Sequence, residues 1–482
     1  MTNLFITDRN FDNDKKKLLI ENIKLINDNF NDDKEILINI IEFLEKINIE
    51  NNDIYNNNIF HYACISGKND IVSYLLKKND KFIIEKNNYG NTGYHFACKY
   101  GYLNIVKIIV EKYEEINNNS MKIIYYRNLN KNTGFYIACK YGYLDIVIYL
   151  LKIYKLYCNK DYHLILMSNY YKNNGFHAAC LNNHLHVVQF LYSLHPEVIF
   201  SGNKIGNNGF HIACYTNNII IVEYLYNLYP LIIFTINKNG YNGFHISCIS
   251  NNTELIKYLI NVCPSVIYTT DYYDNNGFHF ACHKNNLIIV EYLYNLYPLI
   301  IYTANKEENN GFHIACNKNN INIVDFLYKA HPLIIYTVNK NGYNGFHISC
   351  IIGNIEITKY LIKECLDIIY TKDFNDNTGF HMSCQKNNLL ISKYLYELSP
   401  FIASNVNING YNGFHLACMF GDVSLIEYLI INYPNIIYSK DYNDNNGFHL
   451  TCKSNNKYKE NIIKYFFENC SEIVCSKNKL FY

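Results

Sequence analysis

Apolar and polar positions alternate along this chain with a long and nearly fixed period. From Asn310 onward, Phe312, Ile314, Ala315 and Cys316 form a short apolar cluster, and the polar run Asn317-Lys318-Asn319-Asn320 follows it. A second cluster, Ile323, Val324, Phe326, Leu327 and Tyr328, has helical spacing and stops at Pro332. The first cluster predicts a helix of about two turns. Asn310 stands before it as N-cap, because an Asn oxygen accepts an orphan backbone N–H. The Asn319-Asn320 pair is suited to end it in the left-handed conformation. After Pro332, Leu333 to Thr337 is expected to run extended into the polar tip Asn339-Lys340-Asn341-Gly342, where Asn-Gly signals a tight turn.

The same unit recurs along the chain. The residue opening its Gly-Phe-His-x-Ala/Ser-Cys block falls at Ile59 (degenerate), Gly93, Gly134, Gly175, Gly209, Gly243, Gly277, Gly311, Gly345, Gly379, Gly413 and Gly447. From Gly175 the interval is always 34 residues, and the two intervals before it are 41. Asn237–Ile249 and Asn339–Ile351 share the thirteen residues NKNGYNGFHISCI, which points to internal duplication of groups of repeats.

Helix, turn, helix and a loop with a hairpin tip, repeated every 34 residues, resembles the ankyrin repeat. The family opens its first helix with Thr-Pro-Leu-His-x-Ala. Here Asn/Thr-Gly-Phe-His-x-Ala/Ser-Cys stands in that place. Thr92, Thr133 and Thr378 keep the Thr, and every copy but that of Tyr136 keeps the His. Ile71–Leu76 and Ile146–Leu151 match the later Ile-Val-x-x-Leu-Leu. The departures are regular: Gly for Pro, Phe for Leu, Cys for the second Ala. The resemblance implies an all-α, ankyrin-type α-solenoid of helix-turn-helix plus hairpin-loop repeats. The dialect is also similar to that of ankyrin proteins of giant DNA viruses of amoebae.

Three regions follow. Residues 1–57 are expected to cap the array, with Asp33–Ile47 as an amphipathic helix; residues 58–475 hold twelve repeats; 476–482 form a tail. The additional residues near Glu114–Met121 and Tyr154–His163 are expected to lengthen loops.

Composition narrows the function. The charges nearly cancel, 43 Lys and Arg against 42 Asp and Glu, so net charge gives no reason to expect a polyanion or a membrane surface. Arg9 and Arg127 are the only arginines, which disfavours nucleic acid. No apolar run is long enough to span a bilayer or to form a signal segment, so an intracellular protein without membrane attachment is expected. Of 17 cysteines, twelve recur at one repeat position and are expected as small packing residues in a reducing compartment. His313 and Cys316 are ligand types for zinc, but neighbouring helices lie about 8–10 Å apart, too far for successive pairs to share one ion. The His is expected instead to bond back to the N-cap, as in a capping box. No nucleotide-binding or hydrolase motif occurs, and neither an enzyme nor a cofactor or small-molecule substrate is expected.

The expected function is non-catalytic binding of a partner protein, with a self-assembling structural component as the alternative. The resemblance implies binding on the concave side, made of first helices and tips. There Phe, His and Cys hardly vary between copies while their neighbours do. Candidate contacts after the Cys are Lys99, Tyr100, Tyr215, His283, Lys284, Asn317, Lys318, Gln385, Met419 and Phe420. At the tips they are Tyr89, Tyr241, Tyr272, Tyr273, Glu307, Glu308, Tyr343, Phe374, Tyr411 and Tyr442. Tyr is favoured at such places as a rigid amphipathic anchor.

Overall fold

The computed structural model describes residues 52–119, 121–158 and 163–478; the expected capping helix Asp33–Ile47 lies outside them. Two compact units divide the chain, residues 1–243 and 244–482. The described residues of both are helical and contain no strand. In the first unit, helix pairs begin with Ile59–Ser66 and Asn69–Lys78 and end with Gly209–Tyr215 and Ile219–Leu228. In the second they run from Gly277–His283 and Leu287–Leu296 to Gly447–Lys453 and Lys459–Asn469. Within each unit first helices pack on the first helix of the next copy, as Gly311–Asn317 does on Gly345–Ile352.

The Gly311 copy shows why these residues fold this way. The Asn310 side chain accepts the His313 N–H at 3.1 Å and caps the helix Gly311–Asn317. Asn319 then turns left-handed at φ 62°, and Gly353 takes that conformation one copy later at φ 86°. The second helix, Ile321–Ala330, buries Ile323, Val324 and Leu327. Phe312 is wholly buried.

Two expectations are corrected. Residues 333–337 are not extended: Pro332–Tyr336 is a 3-10 turn that buries Ile334 and Ile335. Pro332 favours it because its ring presets the dihedral angle and its missing N–H falls where no donor is needed. The bonds Ile334 N–H to His331 O and Thr337 N–H to Ile334 O close the turn. The additional residues of the 41-residue copies, moreover, do more than lengthen loops. They extend the second helices to Leu103–Asn117 and Leu144–Tyr157, against ten residues in their neighbours, while the short helices Met121–Ile124 and His163–Leu166 take the place of the 3-10 turn. Tyr113 and Tyr154, one turn past Ile109 and Leu150, continue the buried stripe and make the longer helix favourable.

Successive copies interlock at the block glycine. A Cβ on Gly345 would stand 2.5 Å from Phe312 Cε1 and 2.8 Å from Cys316 Sγ. Gly209, in the first unit, meets Phe176 and Cys180 in the same way. The missing side chain is the space into which the preceding Phe inserts. Phe312→Ala is therefore expected to cost about 3–5 kcal/mol, and Gly345→Ala about 1–3 kcal/mol by overpacking. Urea unfolding followed by far-UV circular dichroism measures both. A neutral Phe312→Ala is the result that contradicts this packing.

Candidate protein-binding face

The surface is carried on a frame of buried polar bonds. In the Gly311 copy, His313 Nδ1 accepts the Asn310 N–H at 3.2 Å, which places the ring proton on Nε2. Nε2 donates to Thr337 O, 2.9 Å away in the loop leading to the next copy. Asn310 Nδ2 reaches Thr337 Oγ1 at 3.0 Å. One histidine thus caps its own helix and ties down the following loop. His211 does the same to Thr235 O in the first unit, and His347 to Thr371 O in the second. Burial outweighs these bonds and lowers the pKa of His95, His177, His211, His279, His313 and His381 to about 4. The capping role expected for His is present; its second bond, to the next loop, has no signal in a single repeat. Tyr136 lacks this bridge, and its N–H is held by Thr133 Oγ1.

The tips form a second connection. Asn203 Oδ1 accepts the N–H groups of Ile205 and Asn207, and its Nδ2 donates to Asn173 Oδ1 of the preceding copy at 3.0 Å. The tip backbones bond in succession as well, Lys204 N–H to Tyr171 O and Lys238 N–H to Ile205 O. In the second unit Asp373 takes the place of Asn203. Its Oδ1 accepts from Asn375 and Asn377 N–H, and its Oδ2 from Asn377 Nδ2. A carboxylate cannot donate backward, and the residue corresponding to Asn173 is then Tyr343. Asp441 is preceded by Tyr411 in the same way, and in sequence Asp271 by Tyr241. Asn follows Asn and Asp follows Tyr, a rule visible in the sequence once the geometry shows which positions face each other.

On this frame the expected contact residues take distinct places. In the first unit Tyr89, Tyr100 and Tyr215 are exposed, whereas Lys99 and Tyr241 are half-buried. The Lys99 ammonium lies 5.1 Å from the Tyr100 ring centre. In the second unit Tyr272, Tyr273, His283, Lys284, Glu307, Glu308, Asn317, Lys318, Phe374, Phe420 and Tyr442 are exposed. Gln385 and Met419 are half-buried, as are Tyr343 and Tyr411, whose rings lie 6.3 and 6.1 Å from His347 and His415. Four exposed apolar residues outside the expected set, Leu231, Leu299, Leu333 and Phe401, each follow a proline on a 3-10 turn.

Burial raises the pKa of the repeated cysteines; that of Cys384 is pushed up to about 12, which keeps it a thiol at neutral pH. Among the described residues no three His, Cys, Asp or Glu side chains converge as a metal-binding set, and no helix is long and apolar enough to cross a membrane. The family model for ankyrin repeats in sets of three copies matches residues 25–122, 135–232, 176–266, 210–310 and 312–409. The chain belongs to the ankyrin repeat family. A solved ankyrin repeat domain, that of Bcl-3 of the IkappaB family, is similar at 16% identity, covering 46% of this chain and 98% of its own, with a TM-score of 0.39. No curated protein matches the chain. Two of the departures from the ankyrin signature belong together: the larger Phe, in place of Leu, inserts where a Pro ring at the next copy's first position would stand.

Two outcomes are expected. Because an unfolded histidine titrates near 6.5 and these titrate near 4, the folded chain binds fewer protons between those values. Stability should be complete above about pH 6.5 and fall toward pH 4, by as much as ~1.4 kcal/mol per pH unit for each such histidine. Urea midpoints across that range check it, and a flat profile contradicts it. Asn203→Asp should cost roughly 1–3 kcal/mol by opposing two acceptor oxygens. Asn173→Tyr in the same chain should restore at least half, as a double-mutant cycle on urea midpoints can show.

Proposed function

We propose that this ankyrin repeat chain is a non-catalytic binding protein that grips a partner protein with its tips and first-helix ends. The observation that carries the reading is a contrast within each copy. In every described copy before that of Gly447 the Phe, His and Cys positions are buried and repeated, while the variable residues at the tips and after the Cys are exposed or half-buried and change from copy to copy. Tyr273 and Phe374 are 67% and 68% exposed on tips whose backbones are fixed by the Asn/Asp bonds. Rigid aromatic side chains on a fixed frame lose little entropy on binding.

The resemblance in dialect to ankyrin proteins of giant viruses supports an adaptor that acts on a host protein inside the infected cell. Residues 1–57 serve in this reading as the cap of the array. Affinity capture from host-cell lysate, with mass spectrometry of what is retained, tests the function. A specific protein should be retained by the chain. Replacing Tyr272, Tyr273 and Phe374 together by Ala should weaken retention at least about tenfold, the scale of one interface hot spot, at an unchanged melting temperature. A chain that retains no protein and assembles only with itself, by light scattering, contradicts the reading.

A further inference from the structure

The net charge of +1 conceals a separation of charge within the first unit. From residue 86 to Gly243 its tips and first helices carry eight cations and no Asp or Glu. At the tips these are Lys86, Arg127, Lys131, Lys172, Lys204 and Lys238, all exposed. Lys99 and Lys140 stand at the ends of first helices. The described carboxylates of the same stretch lie elsewhere: Glu111, Glu114, Glu115, Asp145 and Glu223 on second helices, and Glu197 on a 3-10 turn. Glu85, just before the first of these tips, is bonded to Asn58. The second unit has no such separation, since its tips carry Asp274, Glu307, Glu308, Asp376 and Asp444.

The cations share their surface with tyrosines. Lys140 lies 5.5 Å from the Tyr141 ring centre and Lys204 lies 5.2 Å from that of Tyr170. With no carboxylate among them, these charges give the face a positive potential that attracts an anionic partner. We infer that the tip and first-helix face of the first unit binds an extended, Asp/Glu-rich segment of the partner protein. This rests on the protein-binding reading above and names the partner's chemistry.

The structure favours carboxylates over phosphates. Phosphate backbones are gripped by Arg forks and free backbone N–H groups. Here seven of the eight cations are lysines. The tip N–H groups of Leu129, Tyr170, Lys204 and Lys238 are already donated to the preceding tip. What remains is a row of flexible point charges beside phenol hydroxyls, suited to carboxylates at variable spacing.

The test is fluorescence anisotropy of the full chain with a labelled peptide of alternating Glu and Ser. Its controls are the same peptide with Gln for Glu and a labelled oligouridylate. The Glu peptide should bind, weaken steeply with added sodium chloride, and exceed both controls. Lys86→Glu, Lys172→Glu and Lys204→Glu together, all at exposed tips, should weaken it at least about tenfold with an unchanged melting temperature, as loss of steering and contact charge does. Lys359→Glu with Lys363→Glu, exposed on the second helix Ile355–Glu364 of the other unit, should leave it within about twofold. Equal binding of the Gln peptide, tighter binding of the oligouridylate, or indifference to the tip substitutions overturns the inference. So does salt-sensitive self-association of the chain that displaces the peptide. If the charge-reversed chain still retains the same host protein from lysate, the acidic-segment assignment alone falls and protein binding stands.

Discussion

A neutral imidazole buried in nearly every copy is the constraint on which the rest depends. Each must accept an N–H at Nδ1 and donate from Nε2 to a carbonyl in the loop that follows, as His313 does between Asn310 and Thr337. Unpaired, a buried ring nitrogen is costly, so the loop is held wherever the ring is held. The bridge converts a local helix cap into a bond between one copy and the approach to the next. The loop it fixes carries the tip, so the exposed residues inherit their rigidity from a side chain that never reaches the surface.

Apolar packing supplies the other half of the coupling. The ring of Phe312 enters the space left open at Gly345, with Cys316 Sγ beside it. Neither copy can bury that ring alone, which is the general condition of repeat proteins. Two features that look like independent substitutions against the ankyrin pattern, Phe and Gly, are therefore a single steric exchange. The cysteine is small enough to sit beside the ring, and its burial keeps it chemically inert.

Function separates from this frame by position. Buried Phe, His and Cys leave the tips and helix ends free to differ, and they differ in kind between the two units. From residue 86 on, the tips and first helices of the first unit present lysine and tyrosine without carboxylates; those of the second mix acids with lysines and exposed aromatics such as Tyr273 and Phe374. A chain whose summed charge is close to zero can still carry a polar face, because net charge averages over layers that point in different directions.

The period, the helix pair, the Asn cap and the left-handed end of the first helix were legible in the residues, because each depends on neighbours a few positions away. The 3-10 turn at Pro332–Tyr336 was not, since Leu-Ile-Ile-Tyr satisfies an extended strand as well as a turn, and only packing of Ile334 and Ile335 under the helices decides. The lengthened helices of the 41-residue copies escaped for a similar reason: Tyr113 and Tyr154 extend a stripe whose cover comes from elsewhere in the fold. The Asn–Asn and Tyr–Asp alternation was written in the chain but had no meaning until residues about 30 positions apart, such as Asn173 and Asn203, were seen to face each other. Local sequence determined the unit and its repetition. Tertiary structure decided which side chains meet across copies, because those meetings depend on distances that sequence spacing does not contain.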